Sequence, residues 1–337
     1  MDALSRVLKS VQLEGALFVR AEFTAPWCMR GRHGMASIKE RLAGAEHIIF
    51  FHFVAEGTCD IRLLDEDRVL TLRPGDAVLF PRDDRHLFGS DLHIEPLDSD
   101  DFARASARDE ARLVEIRHGG GGGAATRMVC GYLGCGYSQF RMLLGALPRV
   151  LHVPFGDARV AALIRDLLGV GVHLSWAGRP GVTPTRPGGA STLVKVADLL
   201  FVESIRRYVE ITPPEAASGS GWLAAVRDAH IGRALALLHE DPERAWTLEQ
   251  LAREVALSRS GLASRFAELV GEPPMQYLTR WRLAMAAKSL RSSKESVVRI
   301  AGRSGYESEA AFSRAFKREF GMPPVAWRKG GRTVVPS

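Results

Sequence analysis

The sequence predicts an α+β chain of two domains: an N-terminal β-barrel with flanking helices, and a C-terminal all-α module of two tandem helix-turn-helix units. Three observations predict it. The chain has 337 residues, which suits two domains of about 100–200 residues each. Its first half alternates short β-branched and aromatic runs with Gly/Pro turns. Its last third reads as helix after helix and repeats itself. An apolar fraction of 46% with 25% charged residues excludes collagen-like and wholly disordered chains. No apolar run reaches the roughly 18 residues of a spanning helix, so no membrane partner is expected. The start, MDALSRVLKSVQ, has no apolar core of a secretory signal. Four cysteines are too few for a disulfide scaffold. A cytoplasmic chain with reduced thiols is expected.

In chain order, residues 1–12 read as a short helix. From about 13 to 155 strands dominate. IIFFHFVAEG and TCDIRLL are rich in β-branched and aromatic residues, and VLTLRPGDAVLFPRDD places a Pro-Gly-Asp turn between two apolar runs, the pattern of a hairpin. HGGGGG (118–123) lacks the following helix with Lys and Ser/Thr that a phosphate loop needs. It reads as a flexible loop before the strand TRMVCGYLG. Segments 157–168 and 191–210 carry apolar residues at helical spacing, with loop between them. ITPPEAASGSG has linker composition. The expected domains are 1–214 and 222–330.

Charge follows the same division. From Trp222 onward the chain holds 19 Lys+Arg against 12 Asp+Glu, and the rest holds 26 against 27. The excess positive charge of the last third points to a polyanion, with a solvated basic face as the plain alternative.

The repeat carries the most information. Leu248, Leu251 and Ala252 correspond to Val297, Ile300 and Ala301 at an offset of 49. Ser258, Phe266, Gly271, Pro273 and Pro274 match Ser308, Phe316, Gly321, Pro323 and Pro324 at an offset of 50. Tyr277 aligns with Trp327, and one extra residue sits in the second turn at Gly305-Tyr306. Each unit is a short helix, a tight turn and a longer helix ending in Gly-x-Pro-Pro. TLEQ (247–250) is a capping box that opens the first unit.

In helix 258–270, Leu262, Phe266 and Leu269 share the face expected to be buried, with Ser260 and Ser264 opposite. In helix 308–320, Phe312, Phe316 and Phe320 form the buried stripe, and Ala310, Ser313, Arg314 and Lys317 point away. Outward residues of such a second helix, mainly from its N-terminal half, meet base edges in the major groove. With the helix-opening Arg259 and Glu309, the candidate DNA-binding residues are Arg259, Ser260, Ser264, Glu309, Ala310, Ser313, Arg314 and Lys317. A helical hairpin repeat packed on another surface is the structural alternative. Against it, segment 276–332 holds 13 basic and 4 acidic residues.

WTLEQLAREVALSRSGLASRFAELVGEPPMQYLTRWRL, followed by VVRIAGRSGYESEAAFSRAFKREFGMPPVAWR, closely resembles the tandem helix-turn-helix module of AraC-type transcription regulators over roughly 222–330. The resemblance implies seven helices, a linker helix over about Met275–Leu290, and insertion into successive major grooves of double-stranded DNA. Many members carry an arginine where Ser264 stands. LRPGDAVLFP, APWCMR, FHFVAEGTC and VCGYLGC resemble the cupin-type sensor domain of a subgroup of these regulators, some of which respond to oxidants through cysteines. The fold class becomes a cupin-like β-barrel followed by the all-α module.

Two sensor chemistries are open in that barrel. Metal cupins use His-x-His, a Glu and a later His. Here His47 and His52 are five apart, so His-x-His is absent, but His52, Glu56 and His86 are a candidate ligand set for a divalent transition metal. Ordinary barrel histidines are the plain reading. The second chemistry is thiol-based: Cys28, Cys130 and Cys135 are redox or effector candidates. Cys130 and Cys135 point to opposite faces if the segment is extended. Cys28 and Cys130 each lie near arginines in sequence and form the expected pair. Buried cysteines acting as small hydrophobes are the alternative.

The function expected is a DNA-binding transcription regulator sensing a small molecule or oxidant, with RNA polymerase as a partner and a homodimer for which helices 157–168 and 191–210 are the candidate interface, their apolar stripes fitting intramolecular core equally well. The competing classes are a metal-dependent cupin enzyme with an accessory DNA-binding module, and a protein–protein adaptor.

Overall fold

Strands buried along most of their length build two facing sheets in the first half of the chain. The computed structural model describes residues 4, 5, 8, 13–31, 42, 45, 47–98, 113–119, 122–135, 147–155, 189–212 and 222–330. One sheet contains β1 (Leu13–Thr24), β3 (His47–Glu56), β6 (Asp76–Phe80), β9 (Leu113–Gly119), β10 (Ala125–Cys135) and β11 (Leu151–Pro154), in the order β11-β6-β3-β10-β1-β9. The other contains β2 (Cys28–Gly31), β4 (Cys59–Leu63), β5 (Val69–Leu72), β7 (His86–Gly89) and β8 (Leu97–Asp98), in the order β5-β4-β7-β2-β8. The core lies between them. Phe50, Val54, Met128, Cys130 and Tyr132 come from the first sheet, and Met29, Cys59, Ile61, Leu63 and Phe88 from the second. This is the cupin-like barrel the sequence predicts.

The Pro-Gly-Asp turn is not a hairpin. β5 pairs with β4, whereas β6 pairs with β3 and β11. The turn therefore passes the chain from one sheet to the other. Its left-handed Gly75 (φ +90) and the bond from Arg73 N–H to Asp76 Oδ2 at 2.9 Å shape it. Burial gives the reason. β5 is an edge strand with Val69 and Thr71 exposed, and β6 is buried over Ala77–Phe80. β6 takes an inner place between β11 and β3, whereas β5 stays at the edge of the other sheet.

Helix α1 (Gly189–Ile211) packs on β1 and β11. Its stripe of Val196, Ala197, Leu200, Phe201 and Ile205 is buried there. The apolar face expected at 191–210 for a dimer is thus core of this unit, leaving Leu199 and Ile211 partly exposed. Helix 157–168, the linker at 213–221 and most of the helix at 1–12 lie outside the described residues.

From Thr212 the chain belongs to a second compact unit. Helices α2 (Trp222–Arg227) and α3 (Ala229–Glu240) are divided at Asp228, whose carboxylate caps α3 by accepting from the N–H groups of His230 and Ile231. Then α4 (Leu248–Glu254) and α5 (Arg259–Val270) form the first helix-turn-helix. α6 (Pro274–Ser292) connects it to the second, α7 (Val297–Arg303) and α8 (Glu309–Phe320), followed by α9 (Pro324–Arg328). The Thr247/Gln250 capping box is formed. The two turns each use one left-handed residue, Ala256 (φ 54) and Gly305 (φ 83), and the repeat's extra residue follows Gly305. On α6, Tyr277 meets Phe266 of the first unit edge-on at 5.6 Å. Further along, Leu283, Ala286, Ala287 and Leu290 join Phe312, Phe316, Phe320 and Trp327 in the second unit's core.

Candidate nucleic-acid interface and sensor core

The longer helices turn the expected faces outward. On α8, Phe312, Ala315, Phe316 and Phe320 are buried, Glu309, Ala310, Arg314 and Lys317 are exposed, and Ser313 is half-buried. Among the described residues, Arg314 and Lys317 enter no ion pair, so their charge stands free for an external anion. On α5, Leu262 and Phe266 are buried and Leu269 half-buried, with Arg259, Ser260 and Ser264 exposed.

The sequence reading missed Arg265. It is exposed on α5 and donates two bonds to Asp228 Oδ2, at 2.8 and 2.5 Å. Burial pushes the Asp228 carboxyl up, but the Ile231 N–H, the Arg265 guanidinium and the His230 N–H outweigh it and hold the group below its usual range. The outward face of α5 thus carries Arg259 and two serines, with Arg265 tied to Asp228. That of α8 shows free cations.

In the barrel, His52 and His86 come together in the core with Cys130. Both histidines are buried. Three contacts form a chain: Cys130 Sγ to His52 Nδ1 at 2.8 Å, His52 Nε2 to His86 Nε2 at 2.9 Å, and His86 Nδ1 to the Asp84 carbonyl at 3.0 Å. Donor counting assigns the protons. A carbonyl only accepts, so His86 Nδ1–H donates to it and a neutral His86 accepts at Nε2. His52 Nε2–H then donates, and His52 Nδ1 accepts from the Cys130 thiol. Burial, then His86, holds the His52 imidazole well below its usual range, and burial pushes the Cys130 thiol well up. Burial thus favours the neutral forms of His52 and Cys130. Phe80 stacks on His86 at 3.8 Å and 6°, and Phe88 lies 4.2 Å from the His52 ring.

The expected metal set is not assembled. Glu56 is exposed at the end of β3 and accepts from Arg127 at 2.6 Å. His47 bonds the Pro81 carbonyl instead. His52 and His86 face each other, but among the described residues no three His, Cys, Asp or Glu side chains converge as a ligand set. The residues present therefore do not fit a three-ligand metal centre.

The cysteines divide by sheet and face. Cys130 on β10 points into the core with Met128 and Tyr132. Cys135, five residues on, is buried and donates weakly to the His47 carbonyl at 3.6 Å. Cys28 lies in the other sheet, opposite Gly89. It alternates with Trp27 and Met29, which occupy the core. Burial, then Asp91, pushes its thiol up, against Arg30 and Arg62. The structure does not bring Cys28 and Cys130 into one cluster. Cys59 is the thiol that shares the interior with Cys130. Its strand's in-out alternation, CDIRL, was the available signal.

Comparison with known proteins agrees with both halves. The cupin family's sequence profile matches residues 2–210, and that of a helix-turn-helix domain matches 251–330. A putative AraC-like transcription regulator of Streptomyces lividans is 35% identical over 295 residues, covering 85% of this chain and 88% of its own. The regulator AlkR of Acinetobacter baylyi is 26% identical over 98% of this chain and 99% of its own. The RCS-specific transcriptional activator RclR of Escherichia coli is 26% identical over the whole of both chains. The DNA-binding domain of AdpA, solved with a target DNA, is 31% identical over 31% of this chain and 95% of that one, with a TM-score of 0.30. These relatives are regulators rather than enzymes, and no helix among the described residues is long and apolar enough to cross a membrane. The chain belongs to the AraC-like DNA-binding transcription regulators with an N-terminal cupin domain.

Proposed function

We propose that the protein is a cytoplasmic homodimer that binds promoter DNA, contacts RNA polymerase, and reads a small molecule or oxidant in its cupin domain. The observation that carries the DNA-reading half is the outward face of α8, where Arg314 and Lys317 stand exposed and unpaired. Glu309, Ala310, Ser313, Arg314 and Lys317 read bases from the second unit, and Arg259, Ser260 and Ser264 from the first. Other Lys and Arg side chains supply affinity through phosphates. Residues 1–214 and 222–330 act as the sensing and binding domains.

For the signal, the feature that favours a thiol is the 2.8 Å contact of Cys130 Sγ with His52 Nδ1, which places an acceptor for the thiol proton, while burial keeps the resting thiol neutral. A two-electron oxidant such as peroxide converts the Cys130 thiol to a sulfenic acid, with loss of water. A second thiol then attacks that sulfur and releases another water as the disulfide forms. Cys28 is the partner the sequence favours, and Cys59 the one that shares the core with Cys130. Cys135 is the remaining candidate. A divalent transition metal is the weaker reading of the barrel, since His52 and His86 lack the third ligand Glu56 was expected to supply.

The test is DNA binding by the full chain before and after peroxide or hypochlorite, with peptide mapping of the oxidised thiols. A Cys130→Ser variant is expected to lose the response. An unchanged response in that variant overturns the thiol reading and leaves a bound small molecule in its place.

A further inference from the structure

Two arginines, each on the helix that follows a recognition helix, grip the loop that opens their own unit. Arg282 on α6 donates from Nε to the Pro242 carbonyl at 2.5 Å and from a terminal nitrogen to the Arg244 carbonyl at 2.8 Å. Arg328 on α9 donates likewise to the carbonyls of Leu290 and Glu295. The same two-carbonyl fork thus holds the loop ahead of α4 from Arg282, and from Arg328 ties the end of α6 at Leu290 to the loop ahead of α7 at Glu295. A planar guanidinium makes that fork and a lysine does not.

Arg282 has a second neighbour. A Cβ added at Gly305 would stand 2.7 Å from its guanidinium nitrogen. Gly305 is the left-handed residue of the second unit's turn. One guanidinium, rooted on the connecting helix, therefore touches the entrance loop of the first unit and the turn of the second. A surface pair runs alongside: Arg303, which ends α7, reaches Glu243 of the same loop at 2.8 Å and Glu295 at 3.3 Å.

We infer that Arg282, braced by the Arg303–Glu243 pair, is the positioning residue that fixes the spacing of the two recognition helices, and with it the spacing of the two DNA boxes read together. It acts through the two units rather than by touching a base. Spacing along a duplex changes in steps of about 3.4 Å, so a shift of a few ångströms between the units changes the preferred spacing by a base pair. This inference rests on the two-unit DNA-binding reading.

The experiment uses the full chain and duplexes that the wild type selects from a random-sequence library. Affinity is measured for the selected duplex, for a series with base pairs inserted or removed between its two boxes, and for duplexes with one box only. Arg282→Met is expected to weaken the two-box duplex about tenfold, equivalent to roughly 1.4 kcal/mol, and to flatten the spacing series, with one-box affinity unchanged. Arg282→Lys should fall between, and Glu243→Gln should flatten the series less. A wild-type spacing profile in Arg282→Met overturns the inference, as does an equal loss on one-box duplexes. If Arg282→Met does not fold, sharp wild-type profiles in both other variants overturn it instead. A wild type that selects no two-box duplex removes the two-unit reading itself, an outcome distinct from an insensitive Arg282.

Discussion

Arg314 and Lys329 are both exposed cations of the second unit, but they stand in different places. Arg314 projects from the middle of α8, opposite the buried Phe312 and Phe316, and is the residue we propose reads a guanine edge. Lys329 follows α9, beyond the helix-turn-helix repeat, and is proposed to meet phosphate only. Arg314→Ala is expected to lose about 1–3 kcal/mol of discrimination between sites. Lys329→Ala should weaken all duplexes slightly and equally. Competition binding against single-base variants of a selected duplex separates the two. Asp228 works at the same scale in the first unit. It caps α3 and holds Arg265, so Asp228→Ala should cost about 1–2 kcal/mol of stability by denaturant melts. Its carboxyl is held below the ordinary aspartate value. The stabilisation is therefore present above that value and is lost as pH falls through the lower, folded one.

At the scale of elements, the barrel shows where sequence patterns stop. Strand identity was legible because β-branched and aromatic runs cannot pack otherwise, and β3, β4, β6 and β10 fall where the runs do. Pairing was not, because a Pro-Gly-Asp turn has the same residues whether it joins neighbours or passes between sheets. The barrel's interior was half legible. The His52 and His86 side chains could be named, but Glu56 is exposed on the far end of β3, and the Cys59–Cys130 proximity depends on a crossing no spacing encodes. Close approach gives a test of that core. The His86 ring stacks on Phe80, and a Cβ at Gly31 would stand 2.5 Å from it. Gly31→Ala must therefore displace the imidazole. Its expected cost is about 1–3 kcal/mol by thermal or denaturant melting. A variant as stable as wild type would place His86 elsewhere.

At the scale of the whole molecule, the helical module was legible almost throughout, since a repeat states each element twice. The offset change from 49 to 50 marked the turn where Gly305 now meets Arg282. What the repeat could not show was the difference between its halves: α5 carries Arg265 tied to Asp228, while on α8 Arg314 and Lys317 enter no ion pair among the described residues. The charge division, +7 from Trp222 onward against −1 before it, has one direct consequence. Lysine and arginine contacts release counterions from DNA, so the logarithm of affinity should fall linearly with the logarithm of salt, by about 0.9 per phosphate neutralised. The measurement is equilibrium binding of the full chain to a selected duplex and to a scrambled one across a salt series. The account predicts a steep fall for both duplexes, with the selected one bound more tightly at every salt concentration. Binding that ignores salt, or that never distinguishes the two duplexes, would contradict it.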